Sequence, residues 1–216
     1  MTSRVQLALD ASAGPASVAL FVDGVLRSGR RIERQGSAEM LAPTVAELMQ
    51  REGLTPRALT DVIVGAGPGS FTGLRVAAAL GKGLARGAGA RLHAVSSLPL
   101  IAAAQDDARE GTYFSVLDAL RGEWFVQSAT RRTDGSWHID GPFERIAVQL
   151  VRDRAIERGA TIVGPPIDVL QQPDVRAALH IGVQEVSRDA WEPDYGRLAE
   201  AQVQWEATHA RALPAS

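Results

Sequence analysis

Short apolar runs separated by turn residues organise the first part of the chain. Residues 5–9 form one such run, closed by Asp10, Ala11, Ser12, Ala13 and Gly14. Residues 17–22 and 25–32 form two more, joined by Asp23-Gly24. Asp-Gly between two strand-like runs predicts a tight hairpin, because both residues tolerate positive φ. The chain therefore opens as a three-stranded antiparallel meander. After Ser37 the period changes: Leu41, Val45, Leu48 and Met49 recur at helical spacing, and Gly53 follows as a stop. Pro43 falls inside this stretch, which predicts a later start or a kink there.

Residues 61–65 read as a buried strand. The segment GAGPGSFTGLR (65–75) then hands over to a helix expected over 71–86, with Ser70 as N-cap. That helix carries Ala77, Ala78, Ala79, Gly81, Gly83 and Ala85. A helix-interior glycine costs about 1 kcal/mol against alanine, so close approach of another backbone is the expected compensation. Residues 91–95 read as a strand, and Ser97 is placed to cap a helix over 98–105. After the polar break DDAREG the pattern restarts with strands over 113–117 and 124–130, a helix over 146–157 and a strand over 160–163. Residues 176–180 continue this second lobe, and a closing helix is expected over 196–211, packing back on the first. The simplest organisation is two lobes, 1–105 and 106–195.

At 216 residues, with 45% hydrophobic and 22% charged positions, the chain has ordinary globular composition. A net charge of −2 gives no overall field favouring nucleic acid or membrane. Lys82 is the single lysine among the 23 basic residues, which reads as coding bias. Cysteine is absent, which removes disulfides, thiolate zinc sites and cysteine nucleophiles. No stretch has the apolar length of a signal peptide core or a membrane span, so the expectation is a cytoplasmic protein.

The glycine segment sets a helix N-terminus against a strand end, a geometry that favours anions. Its spacing fits neither a P-loop nor the dinucleotide fingerprint, since Gly73 is followed by Leu74-Arg75 and Gly67-x-Gly69 meets Thr72. Nor is there a nucleophile elbow around Ser70. Two readings stay open: a structural turn and cap, or an anion or partner site, with Asp10, Ser12, Gly67, Gly69, Ser70 and Thr72 as the phosphate-contacting set. Asp10 ends the first strand, where an activating carboxylate or an Asx-turn fits equally. His93, His138, His180 and His209 lie too far apart in sequence to make a metal pair on one helix. Asp118, Arg121 and Glu123 read as solvated turn charges; Trp191, Tyr195 and Trp205 as core anchors. Arg27, Arg30, Arg31 and Arg34 are the nearest thing to a basic cluster, and a solvated strand edge accounts for them.

At GPGSFTGLRVAAALGKGLA (67–85) the chain resembles the TsaB (YeaZ) family of the bacterial tRNA threonylcarbamoyladenosine pathway. Matches extend along its length: LALDASAGPASVAL, SAEMLAPTVAELM, AVSSLPLIA, DALRGEWF and EPDYGRLAEAQVQWE. The resemblance implies an α/β fold of the actin, sugar kinase and Hsp70 ATPase type (ribonuclease H-like), two lobes with the second reduced. It implies a non-catalytic dimerisation or scaffold subunit that supports the catalytic paralogue TsaD, with the ATPase TsaE, in modifying adenosine 37 of tRNA. The paralogue's metal-binding His-x-x-x-His falls here on Ser97 and Ile101, neither able to replace an imidazole. The family often has His-Ser at Gly36-Ser37, and Asp-Ala-Arg at Asp118-Ala119-Leu120, where the arginine comes one place later as Arg121.

The implied interface lies on the helices over 41–52 and 71–86, with Leu41, Val45, Leu48, Met49, Leu74, Ala77, Ala78, Gly81 and Leu84 facing the paralogue, or a second copy when it is absent. On this reading Ala78→Trp or Gly81→Leu leaves the monomer folded and weakens pairing. No cofactor belongs to this chain, apart from a weak or interface-shared nucleotide (ATP or ADP), and tRNA is met only through the complex. The alternatives are a nucleotide-dependent kinase or ATPase using Asp10, and a metallopeptidase.

Overall fold

The computed structural model describes residues 3–33 and 36–196. The opening meander forms as β1 (Val5–Asp10), β2 (Ala16–Val22) and β3 (Val25–Ile32). Asp23 and Gly24 turn the corner at φ 52° and 79°, the conformation a hairpin of this hand requires. Helix α1 runs from Leu41 to Arg51. Pro43 sits in its first turn, where no intrahelical partner awaits an N–H, so the helix neither starts later nor kinks. β4 (Asp61–Gly65) leads through the glycine segment into α2 (Phe71–Ala88). Ser70 Oγ accepts from Gly73 N at 3.2 Å as its cap, and Gly89 closes it at φ 68°. β5 (Arg91–Val95) and α3 (Ser97–Ala103) complete the first half.

Six strands form the first sheet in the order β11-β5-β4-β1-β2-β3, where β11 is Gln184–Val186. β4 pairs parallel with β1 and with β5, while β1, β2 and β3 pair antiparallel. This is the ribonuclease H-like sheet on which actin-type lobes are built. β11 adds to it antiparallel to β5. The chain thus returns to the first lobe well before residue 195. The 3-10 turn Val175–His180 does the same, burying Val175, Ala177 and Ala178 against Ala8, Ala19, Phe21 and Ile63. The expected second lobe is therefore too long by this returning segment, and residues 176–180 belong to the first.

The second sheet, β10-β6-β7-β8 with β9 also on β7, repeats the first lobe's early order. Its strands are β6 (Gly111–Asp118), β7 (Glu123–Arg131), β8 (Trp137–Ile139), β9 (Glu144–Ala147) and β10 (Thr161–Val163). β10 pairs parallel with β6, as β4 does with β1, and there the repeat stops. That is what a reduced second lobe means in strands. Helix α4 (Val148–Arg158) packs on it through Val151 and Ala155. The expected helix over 146–157 starts two residues too early, because Ile146 pairs with Trp124 in the sheet. The closing helix expected over 196–211 lies outside the described residues. Among the described residues no helix is long and apolar enough to cross a membrane.

α1 and α2 cover one face of the first sheet, with Leu41, Val45, Leu48, Met49, Ala77 and Ala85 packed on Leu7, Leu9, Val62 and Val64. α3 fills the seam between the lobes, where Leu98 and Ile101 meet Leu117 and Phe125.

Candidate functional site

Asp10 stands at the end of β1, fully buried. Its Oδ1 accepts from Ser12 N at 2.9 Å and from Ser12 Oγ at 2.7 Å, and its Oδ2 accepts from Ser97 Oγ at 2.6 Å. Ser97 Oγ in turn accepts from Gly67 N at 3.0 Å. Ser97 is thus a clamp between two loops, not the expected helix cap, and Ser96 takes the N-cap position. Burial pushes the Asp10 carboxyl above its ordinary pKa, against the hydrogen bonds from Ser97 and Ser12. A folded pKa above the unfolded one stabilises below the unfolded value and loses that contribution as pH rises through the folded one. Asp10→Asn should therefore gain stability relative to the parent protein as pH rises above about 4, the ordinary aspartate value, by up to about 1.4 kcal/mol per pH unit until the folded carboxyl has ionised. Urea midpoints of the two proteins across a pH series from about 4 to 7 measure it; an unchanging difference refutes it.

The glycine segment is closed by the β1–β2 loop. Ser70 N donates to Ser12 O at 2.7 Å. A Cβ on Gly69 would meet Ser12 O at 2.0 Å, and one on Gly73 would meet Ala11 O at 1.9 Å. On Gly65 it would lie 1.8 Å from Asp10 Oδ2. The glycines exist so that this loop can lie against them, with carbonyl oxygens facing the helix start. Oxygens there repel a phosphate instead of binding it. Of the six residues expected to contact phosphate, Asp10 and Ser12 are buried and bonded to each other, Gly67 is buried, Gly69 is half-buried against Ser12, and Ser70 and Thr72 are exposed. Asp10, Ser12, Gly67 and Gly69 thus take part in a structural junction between the β1–β2 loop and the start of α2.

The nine residues expected at the partner interface face inward. Leu41, Val45, Leu48, Met49, Leu74, Ala77, Ala78 and Gly81 are buried in this chain's own core, and Leu84 is half-buried. A Cβ on Gly81 would come within 2.3 Å of Val64 Cγ2. The small residues let α2 lie close to its own sheet, so Gly81→Leu attacks the fold and cannot serve as an interface probe. The outward faces tell a different story. On α1, Ala42, Ala46 and Gln50 are exposed; on α2, Thr72, Arg75, Ala79, Gly83, Arg86 and Gly87 are. Among the described residues nothing lies within 4 Å of a Cβ built on Gly83 or Gly87. Ala79, Gly83 and Gly87 at i, i+4 spacing make a ridge without side chains, and Ala42 and Ala46 make its counterpart on α1. That row is in the sequence at a phase distinct from Ala77, Gly81 and Ala85, and it went unread because both rows are small.

The returning C-terminal segment runs along α2. Lys82 Nζ donates to Glu192 Oε1 at 2.7 Å, Arg86 pairs with Asp189, and Tyr195 packs on Phe71 with ring centroids 4.6 Å apart. Trp191 joins the core as expected; Trp205 and His209 lie outside the described residues. The arginines of β3 are paired: Arg30 with Glu47 at 2.6 Å and Arg27 with Glu52 at 3.6 Å. Arg34 is outside the described residues. In the β6–β7 turn Asp118 Oδ1 accepts from Leu120 N, and Leu120 and Arg121 take left-handed φ of 66° and 55°. Ser97 and Ile101, at the positions of the paralogue's histidine pair, are both fully buried. Among the described residues no three His, Asp or Glu side chains converge as metal ligands.

Residues 31–137 match the family model described as TsaD, tRNA N6-adenosine threonylcarbamoyltransferase. The tRNA threonylcarbamoyladenosine biosynthesis protein TsaB of Escherichia coli is 28% identical over 149 residues, 68% of this chain and 64% of that protein. Its Haemophilus influenzae namesake is 30% identical over 61% of this chain and 56% of that one. The chain thus spans less than two thirds of the length of these curated relatives. YeaZ from Pseudomonas aeruginosa superposes with a TM-score of 0.72 at 24% identity, covering 89% of this chain and 99% of that chain. That likeness establishes the actin-like fold.

Proposed function

We propose that this chain, which belongs to the TsaB (YeaZ) family, acts in tRNA threonylcarbamoyladenosine biosynthesis as a non-catalytic docking subunit. Its partner in this reading is the catalytic paralogue TsaD, with the ATPase TsaE acting on the pair, in the cytoplasm where tRNA is modified. A second copy of the chain takes the paralogue's place when the chain is alone. We assign this chain no metal or cofactor in that role, and tRNA is met only through the complex.

One observation carries the reading. Gly83 and Gly87 sit inside a helix, at about 1 kcal/mol each against alanine, with nothing among the described residues where their side chains would be. Internal packing explains Gly81 and leaves these two without a role. A partner helix laid across Ala79, Gly83 and Gly87 supplies one, because missing side chains let helix axes approach more closely than the usual 8–10 Å or so. Ala42 and Ala46 widen the flat face toward the roughly 800 Å² per partner that a stable interface needs. The closed Asp10 junction supports the non-catalytic part, since the carboxylate that a kinase or ATPase of this fold would use is bonded to Ser12 and Ser97.

Gly83→Trp tests the proposal. The side chain enters open space, so the monomer's melting temperature should stay within about 2 °C of the parent. Co-purification with the paralogue from the same genome, and self-association in size-exclusion chromatography, should both fall at least about tenfold. Normal pairing by this variant would move the interface elsewhere. Transfer of a threonylcarbamoyl group to tRNA by the isolated chain would overturn the non-catalytic reading.

A further inference from the structure

Helix α2 carries three cations, Arg75, Lys82 and Arg86, and no carboxylate in its 18 residues. The returning segment answers two of them: Lys82 Nζ donates to Glu192 Oε1 at 2.7 Å, and Arg86 pairs with Asp189. Arg75 is exposed, and among the described residues no carboxylate or other oxygen accepts from it. Its guanidinium is held all the same. The central carbon stands 5.2 Å from the centroid of the Phe71 ring, and Tyr195 packs on that ring at 4.6 Å. Both aromatic side chains are half-buried. A cation–π contact steadies the charge and leaves the N–H donors without an acceptor. An arginine already resting on an aromatic platform also has less rotamer freedom to lose when an anion arrives. Its planar fork matches a carboxylate.

Its position decides which anion can reach it. Arg75, Ala79, Gly83 and Gly87 recur at i, i+4 spacing and are all exposed, so they form one row on the outward face of α2. Helical side chains lean toward the N-terminus, so Arg75 reaches back to Phe71 and leaves the small residues clear. A helix laid on Ala79, Gly83 and Gly87 brings its own side chains to Arg75 one turn further along. The anion that a helix offers there is an aspartate or a glutamate. A second copy of this chain answers poorly. Its α2 holds no carboxylate, and Glu47 on α1 is already bound by Arg30 at 2.6 Å and by Arg51 at 3.0 Å.

We propose, on the basis of the docking role given above to α2, that Arg75 determines the specificity of that face. It takes a side-chain carboxylate of the partner's docking helix, and so favours an acid-bearing partner over a second copy of this chain.

Arg75→Glu and Arg75→Lys in the full chain test this, with Gly83→Trp beside them. In calorimetric titration against the paralogue from the same genome, Arg75→Glu should raise Kd about tenfold or more. Arg75→Lys should raise it less, since it keeps the charge and loses the fork. Self-association of Arg75→Glu, read by sedimentation equilibrium, should be no weaker than the parent's. Between about 50 and 500 mM NaCl the parent's affinity for the paralogue should fall more steeply than that of Arg75→Ala. If Gly83→Trp abolishes pairing while Arg75→Glu binds the paralogue as the parent does, the docking face stands and the role of Arg75 falls. If Gly83→Trp pairs normally, the docking face falls and takes the role of Arg75 with it. Equal losses of self-association and paralogue binding in Arg75→Glu would remove the selectivity. A drop of more than about 4 °C in that variant's own melting temperature would place the arginine's role inside its own fold.

Discussion

Gly81→Leu should lower the melting temperature by about 6–12 °C. The estimate follows from overpacking at about 3 kcal/mol and from the roughly 2–4 °C per kcal/mol of a domain this size. Even the first added carbon would lie 2.3 Å from Val64 Cγ2, and Val64 is a fully buried, branched residue in the middle of β4. It cannot swing aside as a surface lysine would. α2 must lift from the sheet, and Ala77 and Ala85 lift with it. Gly83→Ala, two residues away, should do the opposite. Its Cβ meets nothing among the described residues, so the helix gains about 1 kcal/mol of propensity and the melting temperature rises by about 2–4 °C. Differential scanning calorimetry on the two variants decides the matter. If Gly81→Leu melts with the parent, the small-residue row of α2 does not hold the helix to the sheet.

That pair of glycines also marks how far the sequence could be read. The meander, β4, the start of α2 and β5 were legible because each carries a local signal: Asp23-Gly24 for the hairpin, Ser70 at the start of the helix, a continuous apolar run for the buried strands. β11 was not, because Gln-Glu-Val has no pattern of its own and forms a strand only by pairing with β5. Ile146 begins the helix expected over 146–157, and pairing with Trp124 in the sheet overrides that expectation. At the site, the specific string 67–85 was conspicuous, yet its role depended on which way its small residues face. Alanine and glycine serve a helix–sheet contact and a helix–helix contact equally well, so composition could not say. The Asp10–Ser97 clamp links residues 87 positions apart, and no local pattern announces such a pairing.

Asp61→Asn should be the most damaging isosteric change in the chain, at about 3 kcal/mol near neutral pH. Asp61 is completely buried at the start of β4. Its Oδ2 accepts from Arg4 Nε at 2.9 Å and Thr60 Oγ1 at 2.8 Å, its Oδ1 accepts from His93 Nε2 at 2.7 Å, and Arg91 Nη2 lies 2.8 Å from Oδ1 as an ion pair. An arginine stands at each oxygen, so whichever end of an asparagine carries the NH₂ group confronts a guanidinium. The figure sits at the low end of the range for a broken buried pair because Arg4 and Arg91 are half-exposed and can turn to water. Burial alone would raise the carboxyl's pKa; the hydrogen bonds from Arg4, Thr60 and His93 outweigh it and hold Asp61 well below the usual carboxylate range. A depressed folded pKa stabilises above the unfolded value and loses that contribution as pH falls through the folded one. The Asp61 contribution should therefore be intact at neutral pH, begin to fade below about pH 4, and be missing from the asparagine variant throughout. Denaturant midpoints of the two proteins should be far apart at pH 7 and converge toward pH 3. Midpoints that stay equally separated across that interval would mean the loss comes from packing alone, and that the charge on Asp61 holds nothing in place.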